Sequence, residues 1–161
     1  MIKPLIEWTD ALSVGIEEVD QQHKALVRML NDLNAAIHEH HGSAEARKTL
    51  DRLAEYTRVH FATEEGVMRL IRYPGFEIHK NQHEHLISEV VSLQEKLDNK
   101  QASITFELLH FLKVWLSKHI TESDKRFGEF AVSRGLVAAA SSWAPVPVAA
   151  PVKPKPWWKF W

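Results

Sequence analysis

Seven side chains of this sequence have the types and the spacing that metal ligands on helices require. His60 and Glu64 are four residues apart, as are His79 and His83, so each pair projects from one face of a helix. One histidine precedes these pairs, and a histidine and an aspartate follow them. The candidate ligands are therefore His23, His60, Glu64, His79, His83, His119 and Asp124.

This donor set predicts a site for two metal ions. Burying five imidazoles and two carboxylates in one core without a cation would cost several kcal/mol and would leave the carboxylates unpaired. The sequence contains no cysteine, which excludes disulfides, thiolate zinc sites, iron–sulfur clusters and a cysteine nucleophile. Nitrogen and oxygen donors suit iron, manganese or zinc, and two carboxylates among five histidines suit a bridged pair of metals. A single zinc ion would not need seven ligands.

The last pair of candidate ligands departs from regular helical spacing. His119 and Asp124 are five residues apart, which is about 140° around an ideal helix. Either the two side chains straddle the inward-facing stripe or a π-type turn brings them together.

Helices must position these residues. Between about residue 20 and residue 131, apolar residues recur at intervals of three and four, which is helical periodicity. The predicted helices run from an N-cap at Asp20 to the histidine-rich stretch before Gly42, from Ser43 to Tyr73-Pro74-Gly75, from about Phe76 to Asp98, and from Ser103 to about Phe130, ahead of Gly135. Their similar lengths and short connections predict an all-α, antiparallel up-down-up-down four-helix bundle. Residues 1–134 would form this domain, with residues 1–19 as an extended N-terminal arm.

Composition narrows the class of protein. A formal net charge of -1 gives no electrostatic footprint for nucleic acid. We expect no signal peptide, because a proline and an acidic residue precede any apolar run at the N-terminus, and no run of about 20 apolar residues predicts a membrane span. The cytoplasm is the expected compartment.

Residues 135–161 differ in composition from the rest of the chain. A proline- and alanine-rich linker is expected to be extended and flexible, and it leads to Trp157, Trp158, Lys159, Phe160 and Trp161. This ending is either an unstructured terminus or an attachment segment. As an attachment segment it would bind the surface of the inner membrane or a groove on a partner protein.

The candidate ligands, in this order and spacing, resemble the ligand pattern of the hemerythrins in their stand-alone bacterial form. The resemblance covers about residues 8–131, and all seven ligand positions are filled. The flanking segments also resemble the family, and they are Trp8 to Gly15, Val19 to Leu26, His60 to Met68, and Tyr73-Pro74 before the third helix.

The resemblance implies an asymmetric centre of two iron ions, Fe²⁺ in the deoxy form and Fe³⁺ in the oxy form. One iron would be bound by His79, His83 and His119 and the other by His23 and His60. Glu64, Asp124 and an oxo or hydroxo group would bridge them. The iron with two histidines would keep an open position for dioxygen, and the expected lining of this dioxygen pocket is Leu26, Phe61, Trp115, Leu116, Ile120 and Thr121. The hydroxyl of Thr121 would either hydrogen-bond the ligand or return to the preceding turn.

The implied function is reversible dioxygen binding for oxygen carriage, storage or delivery, without enzymatic turnover. Three alternatives remain open at this point: a di-iron peroxidase or oxidase, a sensor of dioxygen or nitric oxide, and an adapter whose metal is only structural. The enzyme would need a proton donor beside the open iron, and the expected pocket offers only the hydroxyl of Thr121.

Overall fold

The structure is a computed structural model that describes residues 2–38, 43–101 and 103–136. Predictions about the aromatic C-terminal segment therefore lie outside the described residues. The helices are α1 (Glu17–His38), α2 (Ser43–Leu70), α3 (Phe76–Asp98), α4 (Phe106–Lys118) and α5 (Lys125–Ser133), with a six-residue π-helical segment, His119–Asp124, between the last two. A 3₁₀ turn, Asp10–Leu12, precedes α1.

The chain folds as the predicted all-α four-helix bundle, in which α4, the π-helical segment and α5 together form the fourth helix. Helix α1 packs against both α2 and α4, and α2 also packs against α3. Each helix buries the 3/4-spaced apolar stripe that the sequence shows, and the fully buried leucines include Leu26, Leu30, Leu33, Leu50 and Leu109. Each such side chain stabilises the fold by about 2 kcal/mol relative to an exposed one.

The first helix starts earlier than predicted. Helix α1 begins at Glu17, and Asp20 lies inside its first turn rather than at the N-cap. The Asp20 carboxylate is buried, where it accepts hydrogen bonds from the Val14 amide at 2.8 Å and the Ser13 hydroxyl at 2.6 Å. The side chain therefore holds the end of the N-terminal arm instead of capping the helix.

The fourth helix has a different N-cap from the predicted Ser103. Thr105 has extended backbone angles and its hydroxyl accepts a hydrogen bond from the Leu108 amide at 3.4 Å. This is the N-cap to N3 bond of an ordinary helix start. At its other end the helix continues past Phe130 to Ser133.

Two asparagine side chains of α1 hold the N-terminal arm, and one of them, Asn34, donates to the Lys3 carbonyl at 3.4 Å. Asn31 accepts hydrogen bonds from the backbone amides of Leu5 and Ile6, at 2.8 and 3.2 Å, and donates one to the Ile6 carbonyl at 2.9 Å. Asn31 thus satisfies three backbone groups that have no helix or sheet partner.

Within the described residues, none of the helices is long and apolar enough to cross a membrane.

Gly128 in α5 allows the arm to reach the bundle beside the fourth helix. A methyl group on Gly128 would overlap the backbone carbonyl oxygen of Val14. The same region is held by Lys125, whose ammonium donates to the Ser13 carbonyl at 2.6 Å. The absence of a side chain at residue 128 is therefore a packing requirement.

Replacing Gly128 with alanine should destabilise the protein even though alanine favours helix. We expect Gly128→Ala to lower the free energy of unfolding by about 1–3 kcal/mol, the usual cost of overpacking, in urea denaturation. The matched control is Gly66→Ala in α2, where no atom lies within 4 Å of the added methyl group. That substitution should stabilise by about 0.5–1 kcal/mol. Equal effects of the two substitutions would contradict this packing.

Candidate metal centre

Two fully buried carboxylates lie at the centre of the cluster, and each presents its two oxygens to different histidines. Glu64 Oε1 lies 3.8 Å from His23 Nε2 and 3.7 Å from His60 Nε2. Glu64 Oε2 lies 3.6 Å from His79 Nε2 and 3.3 Å from His83 Nε2. The carboxylate of Glu64 is therefore shared between two groups of histidines.

Asp124 divides its oxygens in the same way. Its Oδ2 lies 3.1 Å from His23 Nε2, whereas its Oδ1 lies 3.1 Å from His79 Nε2 and 3.0 Å from His119 Nε2. We call His23 and His60 the two-histidine cluster, and His79, His83 and His119 the three-histidine cluster. With both carboxylates, each cluster brings its ligand atoms within 4.8 Å of one another, close enough to hold one cation.

The π-helical segment explains how His119 and Asp124 both face the core. It spans His119–Asp124 and is continuous with the α-helices on either side. A π turn carries one residue more than an α turn, so residues five apart fall on one side of the helix. Both side chains are buried. The sequence left open whether the pair straddles the stripe or uses a π turn, and the structure shows the π turn.

The buried donor atoms fit metal ions better than they fit one another. Several ring nitrogens lie close to carboxylate oxygens without the angles that hydrogen bonds require. The buried atoms of the cluster without a hydrogen-bond partner are His23 Nδ1 and Nε2, His79 Nε2, both oxygens of Glu64 and both oxygens of Asp124. Because unpaired buried carboxylate oxygens are costly, the arrangement is that of a site built for cations.

Comparison with known proteins identifies the family of this site. The model of the hemerythrin HHE cation binding domain matches residues 14–131. The chain belongs to the hemerythrin family. It is similar to the bacteriohemerythrin of Stenotrophomonas maltophilia, with 34% identity over 78% of this chain and 80% of that protein. It is also similar to the bacteriohemerythrin of Methylococcus capsulatus, with 33% identity over 77% of this chain and 95% of that protein.

Solved structures agree with this family and confirm the fold. The crystal structure of a wild-type hemerythrin is similar with a TM-score of 0.73 and 32% sequence identity, over 78% of this chain and 96% of that one. The resemblance that the ligand order indicated is thus confirmed for the family and for the four-helix bundle.

Aromatic rings hold two histidines of this hemerythrin-family centre in place. Phe61 stacks on His83 with ring centroids 3.6 Å apart and planes 5° from parallel. Trp115 stacks on His119 at 4.4 Å and 14°. Because a stacked ring resists rotation, these contacts keep the Nε2 atoms directed at the carboxylates.

Two hydrogen bonds to the centre were not anticipated from the sequence. His60 Nδ1 lies 2.9 Å from Gln22 Oε1, and His83 Nδ1 lies 3.2 Å from Glu65 Oε1. Gln22 directly precedes His23 in the sequence, and Glu65 directly follows Glu64. A neighbour on a helix is rotated by about 100° from the ligand, so it reaches a histidine of an adjacent helix instead.

A cavity of about 40 Å³ lies in the bundle core, and its thirteen lining residues include four of the six predicted pocket residues. These four are Leu26, Phe61, Trp115 and Leu116. Leu26 and Phe61 follow His23 and His60 in α1 and α2 by three residues and one residue. The cavity thus borders the ligand cluster, and two of its lining rings, Phe61 and Trp115, stack on His83 and His119.

The other two predicted pocket residues lie elsewhere. Ile120 is buried in the core but does not line the cavity. Thr121 is exposed, and its hydroxyl donates to the Ser117 carbonyl at 2.8 Å. Of the two roles considered for this hydroxyl, the structure shows the bond to the preceding turn, which is a common arrangement for threonine in a helix.

In the absence of metal, the carboxylates and several of the histidines stabilise each other's charged forms. Burial alone would raise the pKa of the Glu64 and Asp124 carboxyls, but the surrounding histidines lower both pKa values below the ordinary range. Burial lowers the pKa of His60 to about 4. Burial would also lower the pKa of His79, yet Asp124 and Glu64 outweigh it and raise that pKa to about 9. The pKa of His23 is likewise raised, because the effect of Asp124 and Glu64 outweighs that of burial.

These shifts predict a maximum of stability near pH 6.5 for the metal-free protein. Between pH 4 and 6.5, His60 is protonated in the unfolded chain but largely neutral in the folded protein. The free energy of unfolding therefore rises with pH in this range. Between pH 6.5 and 9 folded His79 keeps a proton that the unfolded chain releases, so stability falls again. The limiting slope is about 1.4 kcal/mol per pH unit for each group.

Urea denaturation of chelator-treated protein from pH 4 to 9 measures this profile. His79→Gln should make the fall above pH 6.5 less steep, because it removes one of the two histidines with a raised pKa and leaves His23. A stability that keeps rising to pH 9 in the metal-free protein would contradict the predicted charges.

Proposed function

We propose that this hemerythrin-family protein holds two iron ions and binds dioxygen reversibly, for carriage, storage or delivery. The observation that carries the proposal is the division of the two carboxylates between unequal histidine clusters. His79, His83 and His119 would hold one iron, and His23 and His60 the other. Glu64, Asp124 and an oxo or hydroxo group would bridge the pair, which would supply the electrons for reversible binding of dioxygen.

The unequal clusters support an open position on one iron only. The three-histidine cluster offers one more protein ligand than the two-histidine cluster, while both share the same two carboxylates. A metal site that binds a small molecule keeps a coordination position free of protein ligands. Dioxygen would therefore bind beside His23 and His60.

The apolar cavity that borders the ligand cluster suits a small neutral molecule. Cavity-lining residues are almost all apolar, and the exception is Thr57. Its hydroxyl donates to the Leu53 carbonyl at 2.8 Å, which occupies its proton. An apolar cavity of this kind favours dioxygen over water and charged reductants.

The same lining favours binding over turnover. A di-iron peroxidase or oxidase needs a group that delivers a proton to the bound oxygen. Among the described residues that line the cavity, no carboxyl, histidine or free hydroxyl faces it. We therefore propose a binding protein, with enzymatic turnover and sensing of dioxygen or nitric oxide as the alternatives that the experiment must separate.

Absorption spectroscopy of the iron-loaded protein tests the function. Aerobic protein should show a ligand-to-metal charge-transfer band that disappears under vacuum and returns with air over several cycles. Irreversible bleaching with product formation would instead support an enzyme. Loss of the band with nitric oxide at concentrations far below those of dioxygen would support a sensor.

Replacing His23 should abolish the reversible band while the helical fold persists. His23 faces both bridging carboxylates on the two-histidine side, so His23→Ala removes a ligand of the proposed open iron. The matched control is His85→Ala, an exposed histidine of α3 outside the cluster. Circular dichroism checks that both variants fold. Persistent reversible binding in His23→Ala would show that the open position lies elsewhere.

The destination of the oxygen would depend on the C-terminal segment. Attachment of Trp157, Trp158, Lys159, Phe160 and Trp161 to a membrane surface or a partner protein stays a prediction, because these residues lie outside the described part of the chain.

A further inference from the structure

Two residues beside the candidate ligands form hydrogen bonds of different charge with the two histidine clusters. Glu65 accepts from the Nδ1–H of His83 at 3.2 Å, in the three-histidine cluster. Gln22 accepts from the Nδ1–H of His60 at 2.9 Å, in the two-histidine cluster. One acceptor is a carboxylate and the other a neutral amide.

The proton positions in these bonds follow from the partners. A carboxylate only accepts, so the Nδ1 of His83 must be the donor when Glu65 is ionised. For His60 the amide orientation decides: Gln22 Nε2 donates to Glu18 Oε1 at 3.1 Å, which leaves Gln22 Oε1 as the acceptor for His60. Both histidines therefore carry a proton on Nδ1. In its neutral form His83 then accepts at Nε2 from His119 Nε2 at 3.0 Å, whereas Nε2 of His60 faces Glu64 Oε1 at 3.7 Å.

The carboxylate of Glu65 interacts with both His83 and Arg69. The Glu65 side chain is 15% exposed, and its second oxygen faces Arg69, an exposed residue, at 3.4 Å. His83 itself is buried beneath the stacked ring of Phe61. A buried imidazole that donates to a carboxylate is a more basic metal ligand than one that donates to an amide.

We propose that Glu65 and Gln22 are positioning residues that hold His83 and His60 in the Nδ1–H form, and that the charge of Glu65 strengthens cation binding at the three-histidine cluster beyond what its additional histidine provides. This inference rests on the two-metal part of the proposed function. It needs no iron and no dioxygen, so zinc can test it separately.

The first measurement uses the metal-free protein. Nitrogen-15 NMR of the histidine rings reports which nitrogen carries the proton. His83 should be protonated on Nδ1 in the wild type and in Glu65→Gln, which keeps an acceptor oxygen. In Glu65→Ala the ring should become a mixture of both forms. An unchanged His83 signal in Glu65→Ala would overturn the positioning role.

The second measurement is a Zn²⁺ titration in competition with a chelating dye. Wild-type protein should bind two Zn²⁺ with unequal affinity. Glu65→Gln should weaken the tighter site about tenfold, at the lower end of the 10–100-fold typical of such partners. Gln22→Ala should weaken the other site and leave the tighter one unchanged.

The control for net charge is Glu84→Gln. Glu84 is exposed in α3, directly after His83, and pairs with Lys80 instead of a ligand. Its loss should leave both Zn²⁺ affinities within about twofold of wild type. The inference is overturned if Glu65→Gln behaves like Glu84→Gln, or if the wild type binds a single Zn²⁺. Unequal Zn²⁺ sites in a protein that fails to bind dioxygen would support the inference and reject the proposed function.

Discussion

Two buried carboxylates with no hydrogen-bond partner are the constraint on which the rest of the structure depends. Glu64 and Asp124 are fully buried, and all four of their oxygens face histidine nitrogens without forming hydrogen bonds. Such a cluster is stable only when cations, or protons held at a cost, compensate its charge. The bundle provides the hydrophobic framework, and the cluster inside it is organised for binding cations.

The fold accommodates this cluster through local departures from regular structure. Three helices supply ligands at ordinary spacing, while the fourth needs the π-helical segment to turn both His119 and Asp124 inward. The arm packs across the same end of the bundle, where Asp20 and Gly128 permit its close approach. Irregular backbone is thus concentrated near the metal-binding end of the bundle, as is common at functional sites.

Periodicity and spacing predicted the four helices, the bundle and the group of residues that the structure brings together, because each depends on positions along single helices. Asp20 was wrongly placed at an N-cap, since an aspartate that holds a distant segment has the same local sequence as one that caps a helix. Gln22 and Glu65 were missed because their roles depend on which helices are adjacent. Thr121 turns back to its own helix, an outcome that position alone does not decide.

Anomalous X-ray scattering at the iron edge, from crystals of protein loaded anaerobically with Fe²⁺, would locate the bound iron ions directly. We expect two iron peaks within the bundle, one beside His23 and His60 and the other beside His79, His83 and His119, with Glu64 and Asp124 between them. A single peak, or peaks outside this cluster, would contradict the proposed two-iron centre.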